Sequence, residues 1–83
     1  MKAYQVFQGE LDKHGRQRYD LIATYLDKQR AFDHAEKIAN ETPLHGDLLE
    51  FDGWYGDGKY ASWSAVGLER VNVATLELIE ITD

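Results

Sequence analysis

The chain has 83 residues, of which 43% are hydrophobic and 29% charged, and its formal net charge is −6. A chain of this length forms a single domain, residues 1–83, and buries only about 60–65% of the surface that its unfolded form exposes. It has no cysteine, which excludes disulfides and thiolate metal sites, so stability must come from packing within the chain or against a partner.

The charge is unevenly distributed. Residues 1–37 carry six acidic and seven basic side chains, whereas residues 38–83 carry nine acidic side chains against two basic ones, Lys59 and Arg70. The two parts therefore differ in net charge, +1 against −7. An acidic surface repels nucleic-acid phosphates and attracts basic partners, so we expect a protein partner rather than nucleic acid. The alternative interpretation is that the acids only maintain solubility.

The sequence begins without the apolar h-region of a secretory signal, and nowhere does it contain 18 consecutive apolar residues. We therefore expect a cytoplasmic protein with no membrane partner.

Two strands are predicted in the first third of the chain, at residues 2–10 and 18–26. The polar run between them, residues 12–17, indicates a hairpin. Strict alternation in the second strand places four side chains on one face: Tyr19, Leu21, Ala23 and Tyr25.

A helix is predicted over residues 28–41. Asp27 is a suitable N-cap, and Pro43 prevents continuation beyond Glu41. The apolar positions at helical spacing are mostly alanine: Ala31, Ala35, Ile38 and Ala39. Because alanine is small, this face can lie close to a sheet.

Three more strands are predicted at residues 47–55, 59–66 and 70–82. The Leu78-Ile79 doublet interrupts the alternation of the last strand and indicates either a bulge or burial on both sides there. The resulting order is ββαβββ, an α+β fold in which one helix packs on one face of a five-stranded, mainly antiparallel sheet. A helix of this length, about 20 Å, leaves the other face uncovered.

The hairpin around Asp57-Gly58 is the predicted interaction surface. A two-residue type I′ turn pairs positions whose numbers sum to 115. This register places Leu49, Phe51, Tyr55, Tyr60 and Val66 in the core. It places Trp54, Trp63, Glu50 and Asp52 together on the opposite, uncovered face. A bulge would instead return a Trp to the core, and the aromatic residues would then serve packing.

No catalytic, cofactor-binding or metal-binding residues are identified. The three histidines, His14, His34 and His45, are far apart in sequence and form no ligand motif. The acids lack EF-hand spacing, and no phosphate-binding loop is present. We therefore expect a non-enzymatic protein with no cofactor.

Residues 21–36 form a strand that enters a helix through a short polar cap, with alanines at 31 and 35. This run resembles a module common in small uncharacterised proteins of bacteria, phages and mobile elements. The further order of helix, His45-Gly46, strand and aromatic hairpin is similar to small phage anti-CRISPR proteins. The latter resemblance implies binding to a host protein complex, but those proteins use basic contact residues where this chain has acids, so no residue role is carried over.

The leading hypothesis is a protein-interaction module whose uncovered face, with Trp54, Trp63, Glu50 and Asp52, binds a basic protein surface or a second copy of the chain. One alternative is an acidic phage-type inhibitor or nucleic-acid mimic that occupies a basic groove of a host protein. Another is a small-molecule-processing enzyme with a pocket between helix and sheet, which would use Tyr25, His34 or His45.

Overall fold

The computed structural model describes residues 1–42 and 48–81 and has the predicted order of elements. They are β1 (Lys2–Leu11), β2 (Gln17–Tyr25), α1 (Lys28–Glu41), β3 (Leu48–Tyr55), β4 (Tyr60–Val66) and β5 (Arg70–Glu80). The five strands form one antiparallel sheet, which confirms the α+β fold class.

The strand order across the sheet is β2-β1-β5-β4-β3. The first and last strands in sequence, β1 and β5, therefore pair near the centre, and β2 and β3 form the two edges. Helix α1 connects one edge strand to the other and packs across the strands between them. This crossover is the long connection that the sequence predicts.

The helix begins and ends where the sequence indicates. The Asp27 carboxylate accepts hydrogen bonds from the backbone N–H groups of Gln29 (2.8 Å) and Arg30 (3.4 Å), as expected for an N-cap. After Glu41, the Thr42 hydroxyl donates to the Ile38 carbonyl at 2.8 Å. These contacts define the two ends of the helix.

The core lies between the helix and one face of the sheet. Three helix alanines, Ala31, Ala35 and Ala39, are fully buried, as are Val6 and Leu76 in the central strands. The alanines let the helix approach closely, because no longer side chain separates the helix backbone from the strands.

We call the opposite face of the sheet the open face. Helix α1 packs only on the other side, which Trp63 and Tyr25 identify through their contacts with Phe32 and His34. By strand register, the open face carries Phe7, Tyr19, Leu21, Glu50, Asp52, Tyr55, Tyr60, Ser62, Ser64, Thr75 and Glu77.

Three register shifts interrupt strict alternation, in β2, β3 and β5. The shift in β2, at Ile22, divides the set predicted to share one face. Tyr25 and Ala23 lie on the helix side, whereas Leu21 and Tyr19 lie on the open face. That part of the sequence prediction is wrong, because a bulge inserts one extra residue and reverses the alternation beyond it.

The shift in β5 occurs at Val73 rather than at the Leu78-Ile79 doublet. Pairing of β1 with β5 is continuous from Lys2 with Glu80 to Gln8 with Ala74. Leu78 and Ile79 are both half-buried on opposite sides, so the alternative of a strand buried on both sides applies there.

Within the described residues, no helix has the length and apolar character that crossing a membrane requires.

Candidate functional site

The two tryptophans lie on the helix side of the sheet, so their predicted place on the uncovered face is wrong. Trp63 is only 2% exposed and packs against Phe32 and Phe51, with ring centroids 5.1 and 5.0 Å apart. Trp54 is 36% exposed and stacks on Phe32 at 6.2 Å. Lys28 Nζ lies 4.6 Å from the centre of the Trp54 ring. Trp63 is therefore a core residue, and Trp54 is packed at the core's edge.

A bulge at Asp52 changes the predicted pairing of β3 with β4 for the residues that precede it. The predicted sum of 115 holds from the pair Tyr55–Tyr60 to the pair Gly53–Ser62, and it shifts by one at Phe51–Trp63. The bulge brings Phe51 to the same side as Trp54. In β4 the alternation is regular, but the prediction assigned the two sides the wrong way round. Tyr60 lies on the open face and Trp63 lies on the helix side.

The turn itself has the predicted type. Asp57 and Gly58 both have positive φ, 58° and 79°, and the Lys59 N–H donates to the Gly56 carbonyl at 3.2 Å. These are the features of a type I′ turn. It places Tyr55 opposite Tyr60 on the open face rather than in the core, and Val66 also lies on the open face.

Glu50 and Asp52 lie on the open face, as predicted. Asp52 accepts hydrogen bonds from the hydroxyls of Ser62 (2.9 Å) and Ser64 (2.6 Å) and from Arg70 Nη1. Arg70 Nη2 donates to Glu50 Oε2 at 2.8 Å. The hydrogen bond with Glu50 is the main reason that the pKa of Arg70 is raised. One guanidinium therefore pairs with two carboxylates and offsets one of their two negative charges.

The other part of the open face forms a concave surface of about 350 Å³. We call it the aromatic depression; it is lined by Phe7, Tyr19, Tyr55, Tyr60, Thr75 and Glu77. Tyr19 and Tyr55 belong to opposite edge strands. Since both line one depression, the sheet curves around it.

The walls of the aromatic depression are ordered by contacts between its own members. Tyr55 and Tyr60 are cross-strand partners whose rings stack at 5.4 Å with an angle of 18°. Gly56 makes room for this arrangement, because a Cβ there would lie 2.7 Å from the Tyr60 ring. The stacked pair forms a flat aromatic wall.

The opposite wall is Tyr19, which is 52% exposed. The pKa of Tyr19 is raised above its ordinary value of 10.0, mainly because its hydroxyl is partly buried. Electrostatic interaction with the nearby Tyr55 raises it further. The phenol therefore stays neutral and can donate a hydrogen bond at neutral pH. The half-buried Glu77 pairs across the strands with Tyr60 on one side and Gln5 on the other.

The residues considered for an enzyme are only partly brought together. The Tyr25 hydroxyl and His34 Nδ1 lie 2.8 Å apart and share a hydrogen bond, whereas His14 is in the distant β1–β2 turn. His45 lies outside the described residues. In residues 1–42 and 48–81, no three His, Asp or Glu side chains are grouped so that they could hold a metal ion.

Four residues of the aromatic depression were missed by the sequence analysis: Phe7, Tyr19, Thr75 and Glu77. Phe7 and Tyr19 lie far from the hairpin in sequence and come close only through the β1–β5 pairing. Thr75 and Glu77 lie in the next strand and pair directly with β4. One usable signal is present in β4, where Ser62 and Ser64 flank Trp63. Polar residues at these positions indicate that Trp63, rather than Tyr60, faces the core.

No family model matches the sequence, and no curated protein or solved structure matches it. The resemblances to bacterial or phage modules and to anti-CRISPR proteins therefore stay predictions.

Proposed function

We propose that this chain is a non-enzymatic protein-interaction module whose open face binds a basic surface of another protein. The observation that carries the proposal is the aromatic depression, which lies on the face opposite the helix. Tyr19 and Tyr55 are 52% and 48% exposed there, and exposed aromatic side chains in a concave surface are typical anchors for a partner.

Charge favours a basic partner over a second copy of the chain. Among the described strand residues, the open face carries the carboxylates of Glu50, Asp52 and Glu77 against the single guanidinium of Arg70. Two such faces would bring net negative charges together, and like charges at an interface are unfavourable. A basic partner gains attraction from the same charges.

The alternative of nucleic-acid mimicry receives less support from this geometry. A mimic needs carboxylates that present free negative charge in the manner of phosphates. Glu50 and Asp52 instead share Arg70, and Asp52 also accepts two serine hydroxyls. Arg70 therefore offsets part of the negative charge that these carboxylates would present to a basic groove.

The alternative of an enzyme would rest on Tyr25 and His34. These side chains meet at the helix–sheet interface, and neither lines any of five depressions on the described part of the chain. A substrate would need a concave site beside them. We therefore favour binding over catalysis.

Affinity capture with matched variants tests the proposal. The immobilised wild-type chain is used to capture and identify a partner, whose affinity is then measured for Tyr19→Ala, Tyr55→Ala and Trp54→Ala. Each substitution removes a partly exposed aromatic ring, but only the first two rings are on the open face. We expect each open-face variant to weaken binding by about tenfold or more, as for an interface anchor, and Trp54→Ala to bind as the wild type does.

Equal weakening by all three variants, or by Trp54→Ala alone, would contradict the proposal. Sedimentation of the purified chain tests whether a second copy of the chain binds the open face instead. If the wild type is a dimer and the Tyr19→Ala and Tyr55→Ala variants are monomers, the open face serves self-association.

A further inference from the structure

The aromatic depression has a chemical composition that selects its occupant. Its walls are the rings of Phe7, Tyr19, Tyr55 and Tyr60, and its single ionisable acid is Glu77. Aromatic faces attract cations through their ring quadrupole. A carboxylate among rings adds direct charge attraction and a hydrogen-bond acceptor.

Glu77 differs from the other two acids of the open face. Glu50 and Asp52 are paired with Arg70, but within the described residues no Lys or Arg nitrogen lies within 4.0 Å of the Glu77 carboxylate. Glu77 is half-buried, and a partly desolvated carboxylate gains more from a cation than an exposed one does. The depression therefore lacks the cation that its composition favours.

Resting on the proposed function, we infer that the aromatic depression receives one arginine side chain of the partner, with its guanidinium against the stacked Tyr55–Tyr60 wall and hydrogen-bonded to Glu77. The guanidinium is planar, it stacks on aromatic rings, and it pairs with a carboxylate through two parallel N–H groups. A volume of about 350 Å³ is at the small end of ligand sites, as suits one side chain.

Arginine is favoured over lysine for two physical reasons. A lysine ammonium is a compact and strongly hydrated charge, so its transfer into a depression with aromatic walls costs more than that of a guanidinium. The parallel Tyr55 and Tyr60 rings, 18° apart, also present a flat surface that matches a planar group. The same face already pairs a guanidinium with carboxylates, since Arg70 bridges Glu50 and Asp52.

An NMR titration with small probes tests the inference without a known partner. The probes are N-acetyl-arginine amide, N-acetyl-lysine amide and N-acetyl-citrulline amide, the last being a neutral analogue with the shape of arginine. We expect saturable shifts of the amide resonances of Phe7, Tyr19, Tyr60 and Glu77 with the arginine probe. We expect the lysine probe to bind several-fold more weakly and the citrulline probe tenfold or more weakly.

Two variants with the same change in net charge separate the role of Glu77 from general attraction. Glu77→Gln should weaken the arginine probe about tenfold, whereas Glu69→Gln, in the β4–β5 turn, should change its affinity less than twofold. Tyr55→Leu keeps apolar bulk at an exposed edge position and should weaken the arginine probe several-fold. Tyr55→Leu also tests the inference if the Glu77→Gln variant does not fold.

Equal binding of the arginine and citrulline probes, equal effects of the two glutamate variants, or no saturable shift at the depression would overturn the inference. Such a result would leave the proposed function standing if the Tyr19→Ala and Tyr55→Ala variants still lose the captured partner. If those variants keep the partner, the proposed function itself fails.

Discussion

Replacing each tryptophan by alanine tests the division between core and surface. A fully buried Trp side chain removes about 150–250 Å² from water, which corresponds to about 4–6 kcal/mol at 25 cal/mol per Å² and is an upper bound. Trp63 is 2% exposed and enclosed by Phe32 and Phe51. We expect Trp63→Ala to lower the free energy of unfolding by about 4 kcal/mol, because it also leaves a cavity.

Trp54→Ala should lower the free energy of unfolding by about half as much. Trp54 leaves 36% of its surface exposed, and its removal opens a groove to solvent rather than an enclosed cavity, so we expect a loss of about 2 kcal/mol. Urea unfolding followed by far-UV circular dichroism measures both losses independently of tryptophan fluorescence. An equal or larger loss for Trp54→Ala would refute the assignment of Trp63 to the core.

Because Trp63→Ala is expected to lower the free energy of unfolding so much, a second pair of more conservative substitutions is needed. A domain of 83 residues has a total stability of about 4–12 kcal/mol, so Trp63→Ala could leave little folded protein. Trp63→Phe should cost about 1–3 kcal/mol, and Trp54→Phe should cost clearly less. In either pair, the test is whether the substitution at Trp63 lowers the free energy of unfolding more than the same substitution at Trp54.

Four further substitutions test the packing and the first turn. Gly9→Ala should lower the free energy of unfolding by about 1–3 kcal/mol or more in urea, because the new Cβ would lie 2.1 Å from the Asn72 carbonyl oxygen; unchanged stability would contradict this close approach. Ala35→Leu should cost a similar amount at the helix–sheet contact, whereas Glu36→Leu on the exposed side should cost less than about 0.5 kcal/mol; equal costs would contradict the helix orientation. The backbone N–H of Arg16, more than the other donors, holds the pKa of Asp12 in the folded protein below its ordinary value of 3.8. The Asp12 carboxylate therefore stabilises the folded protein fully above about pH 4. This stabilisation is lost as the pH falls through the pKa that Asp12 has in the folded protein. Asp12→Asn should therefore show a smaller fall in Tm on acidification than the wild type, and parallel curves would contradict this.

The sequence allowed the elements to be predicted, because each has a local signal. The Asp27 cap, the alanine spacing and Pro43 define helix α1, and the Asp57-Gly58 turn fixes the pairing of Tyr55 with Tyr60. Periodicity and turn chemistry are properties of neighbouring residues, so a single sequence reveals them.

The faces of the strands were less predictable, because they depend on bulges. One extra residue at Ile22 and another at Asp52 exchange the sides of Tyr19, Phe51 and their neighbours. Gly53, whose φ is 92°, follows the bulge at Asp52 and is a local sign of it. No glycine accompanies the bulge at Ile22, so the sequence there does not mark it. The candidate site was incomplete for a different reason: Tyr19 lies on the opposite edge strand and approaches the hairpin only through the pairing of the central strands.

An NMR titration at about 0.15 M salt with a peptide of alternating arginine and glycine tests most directly whether the open face is the binding surface. The outer face of helix α1 offers a control within the same molecule, because it carries the exposed acids Asp33 and Glu36. The account predicts that the amides of Phe7, Tyr60 and Glu77 shift first and saturate. Larger or equal shifts around Asp33 and Glu36 would contradict it, because the peptide would then follow negative charge alone.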